Sequence, residues 1–163
     1  MAVMPILRWP DPRLAAVCVA VPAGEDVAGL ARDMLQTMYA APGRGLAAPQ
    51  VGVLRRVFVM DTGWKEGKPA PMACINPDIL WWSPDQTEGT EGCLSLPGTA
   101  PVIRRARAIR LAWTALDGLR HEALFDGFGA TCIQHETDHL DGILTLDRLS
   151  PDARAAALAQ VQT

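Results

Sequence analysis

Between residues 26 and 40, Val27, Leu30, Ala31, Met34, Leu35 and Met38 recur at intervals of three and four, the spacing of one helix face. Pro42 and Gly43 end that pattern. Ahead of it, residues 1–25 read as an extended, proline-marked lead-in. GRGLAAPQVG (43–52) reads as a glycine-edged loop running into a strand. RRVFVMD (55–61) and PMACINP (71–77) read as strands separated by a Gly/Lys/Pro turn region, and DILWWS (78–83) as a further short strand. From 101 onward, Arg107, Ile109, Leu111, Trp113 and Ala115 alternate with Ala108, Arg110, Ala112 and Thr114, which predicts a strand with one mostly apolar face. Asp117-Gly118 predicts a hairpin turn into 119–125. A helix should then start at Asp126 or Gly127 and end at Gly142, with Phe128, Cys132, His135 and His139 on one face turned toward the core. Ser150 and Pro151 suit the N-cap and first turn of a short last helix. No repeat, low-complexity stretch or linker interrupts the chain. The pattern is α+β: antiparallel or mixed β-sheets around one central helix, in a single domain over 1–163.

Composition narrows the function classes. With 163 residues, 49% hydrophobic and 20% charged, the chain can bury a core and is not of a disordered type. A net charge of −3 with scattered arginines gives no nucleic-acid footprint. No run approaches the ~20 apolar residues of a spanning helix. The four cysteines (Cys18, Cys74, Cys93, Cys132) form no CxxC pair and read as reduced thiols of a cytoplasmic protein. Against this, LAAVCVAVP (14–22) after Arg8 and Arg13 faintly resembles a secretory signal; Asp11 and Pro5, Pro10 and Pro12 argue the other way.

The candidate chemistry lies in CIQHETDHLDG (132–142). His135 and His139 stand one helical turn apart, so both imidazoles can reach one ion, and Glu136 beside them can handle protons. The plain reading is a solvated helix with two surface histidines. It conflicts with the apolar residues on the same face, since buried histidines need partners. A catalytic ion needs a third protein ligand and an open position. No Glu follows Glu136 and no His follows His139, so the third ligand should come from upstream. Cys93 in EGCLSLP (91–97) is the natural candidate, although a small buried core residue is the usual fate of a free cysteine. Cys132 is a weaker candidate, and Cys18 and Cys74 read as core.

GRGLAAPQ (43–50), EGCLSLP (91–97) and QHETDHLDG (134–142) together resemble the three signature motifs of the peptide deformylase family. ILRWPDPRL (6–14) and INP (75–77) extend the resemblance over nearly the whole chain. The resemblance implies a mixed α+β fold with the metal helix among antiparallel sheets. It implies an Fe(II)-like ion, replaceable by zinc or nickel, on Cys93, His135 and His139. It implies hydrolysis of the N-formyl group from N-formylmethionyl peptides on nascent chains, with Glu136 as proton carrier and with Gln50 and the Leu94 N–H as oxyanion donors. Gln50 alone would read as a polar loop residue. Two supporting roles follow: a buried Glu91–Arg105 pair under the Cys93 loop, and Asp138 orienting a ligand histidine.

Gly45, Arg44 and Thr131 fall at substrate-binding positions of the family. Arg44 departs from the pattern, because an aliphatic residue usually stands between the two motif glycines. Two readings are open: its stem packs over the pocket mouth with its head in water and leaves the pocket apolar, or the cation selects a different or acidic substrate. The second gives the alternative of a deformylase-like amidase with a non-methionine preference, which a formyl-peptide series varying the first residue separates. A binding module that has lost turnover is a third reading; the presence of Glu136 counts against it, because binding does not require it. PDARAAALAQVQT (151–163) contains one basic residue, Arg154, so ribosome contact through a basic terminal helix is weakly supported.

Overall fold

The computed structural model describes residues 2–162. Helix α1 (Ala28–Ala40) forms where the apolar spacing places it and buries Ala31, Met34, Thr37 and Met38. It starts after the chain has turned at Asp26, whose carboxylate accepts from the Ala28 N–H at 2.9 Å.

Segment 43–52 is not a loop leading into a strand. Gly45–Ala47 is itself strand β1, and Ala48–Val51 winds into one tight turn. The Gln50 side-chain oxygen closes that turn by accepting from the Ala47 N–H at 2.9 Å, and Gly52 leaves it at φ 83. Strand β2 (Val57–Met60) pairs antiparallel with β1 and is buried along its whole length.

The two strands expected over 71–77 and 78–83 are one, β3 (Met72–Trp82). Pro77 does not end it, because the ladder shifts register between Ile75 and Asp78 and so needs no N–H there. Asn76 takes the bend at φ 48, and its side-chain amide bonds both the N–H and the carbonyl of Val21, at 2.8 and 3.1 Å. The strand expected from 101 divides at Arg107. Strand β4 (Gln86–Thr90) pairs with β5 (Val102–Ala106) in a separate two-stranded sheet, while β6 (Ala108–Thr114) joins β3. Strand β7 (Arg120–Asp126) returns along β6 after the expected turn at Gly118, φ 79. The larger sheet runs β1-β2-β3-β6-β7, with every neighbouring pair antiparallel.

Helix α2 (Gly127–Leu140) follows directly from β7 and packs Ala130, Ile133 and Leu140 against Phe58, Cys74, Ile109 and Leu111 of the sheet. Phe128 does not share this buried face: it sits in the first turn of α2, is 53% exposed, and stands at the rim of a pocket. A third apolar cluster joins Leu14 of the lead-in to Leu96, Leu144, Leu146 and Ala157. Leu14, Cys18 and Val21 of the signal-like stretch are buried in the folded core, while Val17 and Val19 between them are exposed. Helix α3 (Pro151–Gln160) is capped as expected, with Ser150 Oγ accepting from the Ala153 N–H at 3.2 Å. Among the described residues, no helix is long and apolar enough to cross a membrane.

Candidate metal centre

Helix α2 carries more buried polar side chains than its packing alone explains. Gln134, Glu136, Asp138 and His139 are all buried within it. Ligand atoms of Cys93, His135 and His139 lie within 4.8 Å of one another, and they form the one such His/Cys/Asp/Glu group among the described residues. Cys93 reaches them from the turn between β4 and β5, which is closed by a Leu96 N–H to Cys93 O bond of 2.9 Å. Cys93 Sγ and His139 Nε2 are 3.5 Å apart. A tetrahedral ion with bonds of about 2.3 Å to sulfur and about 2.0–2.1 Å to nitrogen needs that edge to be about 3.5 Å. The Glu136 carboxylate lies beside this set, with Oε1 3.9 Å from His135 Nε2, and its Oε2 is buried with no hydrogen-bond partner in the protein. A soft thiolate, two imidazoles and an unanswered carboxylate oxygen fit an ion with a water at its open position.

Burial and neighbours set the charge states. Burial pushes the Glu136 carboxyl up to about 7. Burial first, and then the nearby His135 and Arg105, hold His139 well below its ordinary pKa, in the neutral form that ligates metal. Glu91 behaves oppositely. Its burial would raise it, but hydrogen bonds from His135 and Arg105 outweigh burial and hold it at about 2.

That carboxylate corrects one expectation. His135 Nδ1–H donates to Glu91 Oε1 at 2.9 Å, so Glu91, and not Asp138, orients a candidate ligand histidine. Asp138 instead pairs with Arg105 at 2.7 Å and with Arg148 at 2.7 and 2.9 Å. The expected Glu91–Arg105 pair is present, buried and bidentate, with both bonds 2.9 Å.

A cavity of about 440 Å³ opens onto these groups, and Arg44, Gly45, Gln50, Leu94, Thr131 and Glu136 all line it. Gln50 is fully buried; its Nε2 donates to Ser95 Oγ at 3.0 Å and faces Cys93 Sγ at 3.7 Å. Ser95 has no role in the motif reading, and nothing local marks it out, because its partner lies 45 residues away. The Arg44 stem lies at the mouth as expected, but its head is not free in water. Its Nη2 pairs with Glu66 at 2.6 Å and its guanidinium stands 5.6 Å from the Phe128 ring centre.

The geometry has counterparts in known proteins. The family model described as polypeptide deformylase matches residues 3–155. A peptide deformylase of Rhizorhabdus wittichii is 43% identical over 99% of this chain and 95% of its own length. Peptide deformylase 2 of Xanthomonas campestris pv. campestris is 48% identical over 93% of this chain and 89% of its own. Among solved structures, a peptide deformylase from Legionella pneumophila superposes with a TM-score of 0.90 at 36% identity, covering 97% of this chain and 92% of that one. One from Synechococcus elongatus, in complex with actinonin, also scores 0.90, at 35% identity, over 96% and 86% of the two chains.

Proposed function

The chain belongs to the peptide deformylase family, and we propose that, as one catalytic domain over 1–163, it removes the N-formyl group from N-formylmethionyl peptides of newly made proteins. Formate and a free amino terminus are the products. The observation that carries the assignment is the buried Glu136 carboxylate, its Oε1 3.9 Å from His135 Nε2 and its Oε2 without a hydrogen-bond partner, next to the clustered Cys93, His135 and His139 ligand atoms.

Cys93, His135 and His139 would hold one divalent ion in this reading, Fe(II) by family, with zinc or nickel as substitutes. Such an ion polarises a carbonyl oxygen and makes a water acidic enough to deprotonate near neutrality. The Glu136 carboxylate would take a proton from the attacking water and return it to the amine as it leaves, which requires a pKa near the working pH; its burial supplies this. As the formyl oxygen gains charge, Gln50 Nε2 and the Leu94 N–H donate to it. One such donor is worth about 3–4 kcal/mol where measured. Gly45 lets the peptide backbone approach, because it has no Cβ, and Thr131, Arg44 and Phe128 border the first side chain. Glu66 already answers the Arg44 cation, so methionine remains the proposed first residue. Nascent chains in the cytoplasm are the proposed substrates, and α3, with Arg154 as its single basic residue, supports only a weak ribosome contact.

The test is formate release from a formyl-Met-Ala peptide by anaerobically purified, Fe(II)-loaded protein. Glu136→Ala should lower turnover roughly 10²–10⁴-fold while the melting curve stays cooperative. No turnover from metal-loaded wild-type protein would overturn the assignment.

A further inference from the structure

Behind His135 the charged side chains form an unbroken line. Glu91 Oε1 accepts from His135 Nδ1 and from Arg105 Nη2, both at 2.9 Å. Arg105 Nη1 donates to Asp138 Oδ2 at 2.7 Å. Arg148 then grips Asp138 with a fork, Nε to Oδ2 at 2.9 Å and Nη2 to Oδ1 at 2.7 Å. The line starts at a candidate ligand and ends at a side chain 42% exposed.

We propose that Arg148 is a positioning residue for the metal centre, holding Asp138 so that Arg105 stays divided between two carboxylates and Glu91 keeps a fixed grip on His135. The inference rests on reading Cys93, His135 and His139 as ligands of one ion.

Charge balance carries the argument. The line holds two carboxylates, Glu91 and Asp138, and two guanidiniums, Arg105 and Arg148. Arg105 and Glu91 are almost fully buried, with side chains 4% and 6% exposed. Removing the charge of Arg148 leaves one guanidinium to answer two carboxylates. Asp138 then draws Arg105 toward itself, and Glu91 loses part of its compensation. A less compensated Glu91 pulls harder on the His135 Nδ1–H, and Nε2 becomes a stronger donor. An ordinary exposed ion pair would transmit nothing of this kind. Here the carboxylate end is buried and shared, and Arg105 is fixed by bonds on both of its sides. The sequence gives no hint of the role, because Arg148 lies beyond α2 in the turn Thr145–Arg148 and outside every motif.

Cobalt(II)-loaded protein tests the proposal, because the visible bands of the ion report donor strength and geometry directly. Arg148→Met should shift those bands and lower kcat roughly 3–10-fold with KM within about twofold, less than the 10–100-fold expected for losing a direct partner of a ligand. Arg148→Lys restores the charge without the fork, so it should recover part of both, and it carries the test if the methionine variant does not fold. Arg154→Ala breaks the neighbouring exposed pair with Asp147 and should leave spectrum and kcat as in the wild type. A methionine variant that melts earlier but keeps the wild-type spectrum and kcat would overturn the inference and reduce Arg148 to a surface anchor. Wild-type protein that takes up no cobalt would overturn the ligand assignment, and this inference with it.

Discussion

At Gly45 the absence of a single carbon matters. A Cβ there would sit 2.8 Å from Glu136 Oε1 and 3.0 Å from Cys132 Sγ, inside contact distance of the proposed proton carrier. Gly45→Ala must therefore displace Glu136 or β1 by a few tenths of an ångström. We expect kcat/KM to fall roughly 10–100-fold, the scale on which small misplacements act, with little loss of stability. Formate-release kinetics beside a thermal melt would check this, and an alanine variant within twofold of wild type would refute it. Residue-scale chemistry is legible where a helical spacing alone decides it. The four-residue spacing of His135 and His139 gives their shared face directly, and the lack of a downstream ligand points back to Cys93. Asp138 misled for the same geometric reason. It precedes His139 by one position and so projects about 100° around α2, toward Arg105 and Arg148. The group that does hold a candidate ligand histidine, Glu91, is 44 residues from it, and no local pattern reports such a distance.

Element boundaries followed the apolar signal and failed where it stops. All five residues of β4 are exposed, so no alternation marks it as a strand. β3 reads as two strands, 71–77 and 78–83, yet its ladder runs past Pro77 through a register shift, beside which Asn76 bonds Val21 of the distant lead-in. The end of α2 was legible in Gly142, and its surroundings show what that glycine does. At φ 73 its α-carbon faces Ala15, whose carbonyl oxygen would lie 2.5 Å from an added Cβ. Here the lead-in docks on the helix end. The Leu140 carbonyl accepts from the Cys18 N–H at 2.8 Å and from Arg56 Nη1 at 3.0 Å, which satisfies an acceptor the helix leaves open. Gly142→Ala combines a left-handed non-glycine residue with a backbone clash, so it should cost about 2–3 kcal/mol. Urea unfolding measures this, and an unchanged midpoint would show that the lead-in yields freely.

For the molecule as a whole, the proposed ion is a cross-link between parts that hydrophobic packing joins only weakly. His135 and His139 belong to α2, whose buried face packs on the large sheet. Cys93 belongs to the turn beside Leu96, which packs with the lead-in and α3 in the third cluster. An ion on all three ligates the native arrangement and not the unfolded chain, so its binding free energy adds to stability, about 4 kcal/mol when free metal is a thousandfold above its dissociation constant. In a chain of this length each kcal/mol is worth roughly 2–4 °C. Metal stripped by a chelator should then lower the melting temperature by roughly 10 °C, and re-addition should restore it. The loss should not be uniform. Hydrogen-exchange protection should fall first in 91–97 and in the second half of α2, where Glu136 Oε2 and His139 Nδ1 already lack protein partners. Strands β3, β6 and β7 hold one another through antiparallel ladders and supply none of the three candidate ligands, so their protection should persist. A stripped protein with the same melting temperature and the same protection at 91–97 would mean that these three side chains are held by packing alone and that the ion, if bound, serves chemistry without contributing to the fold.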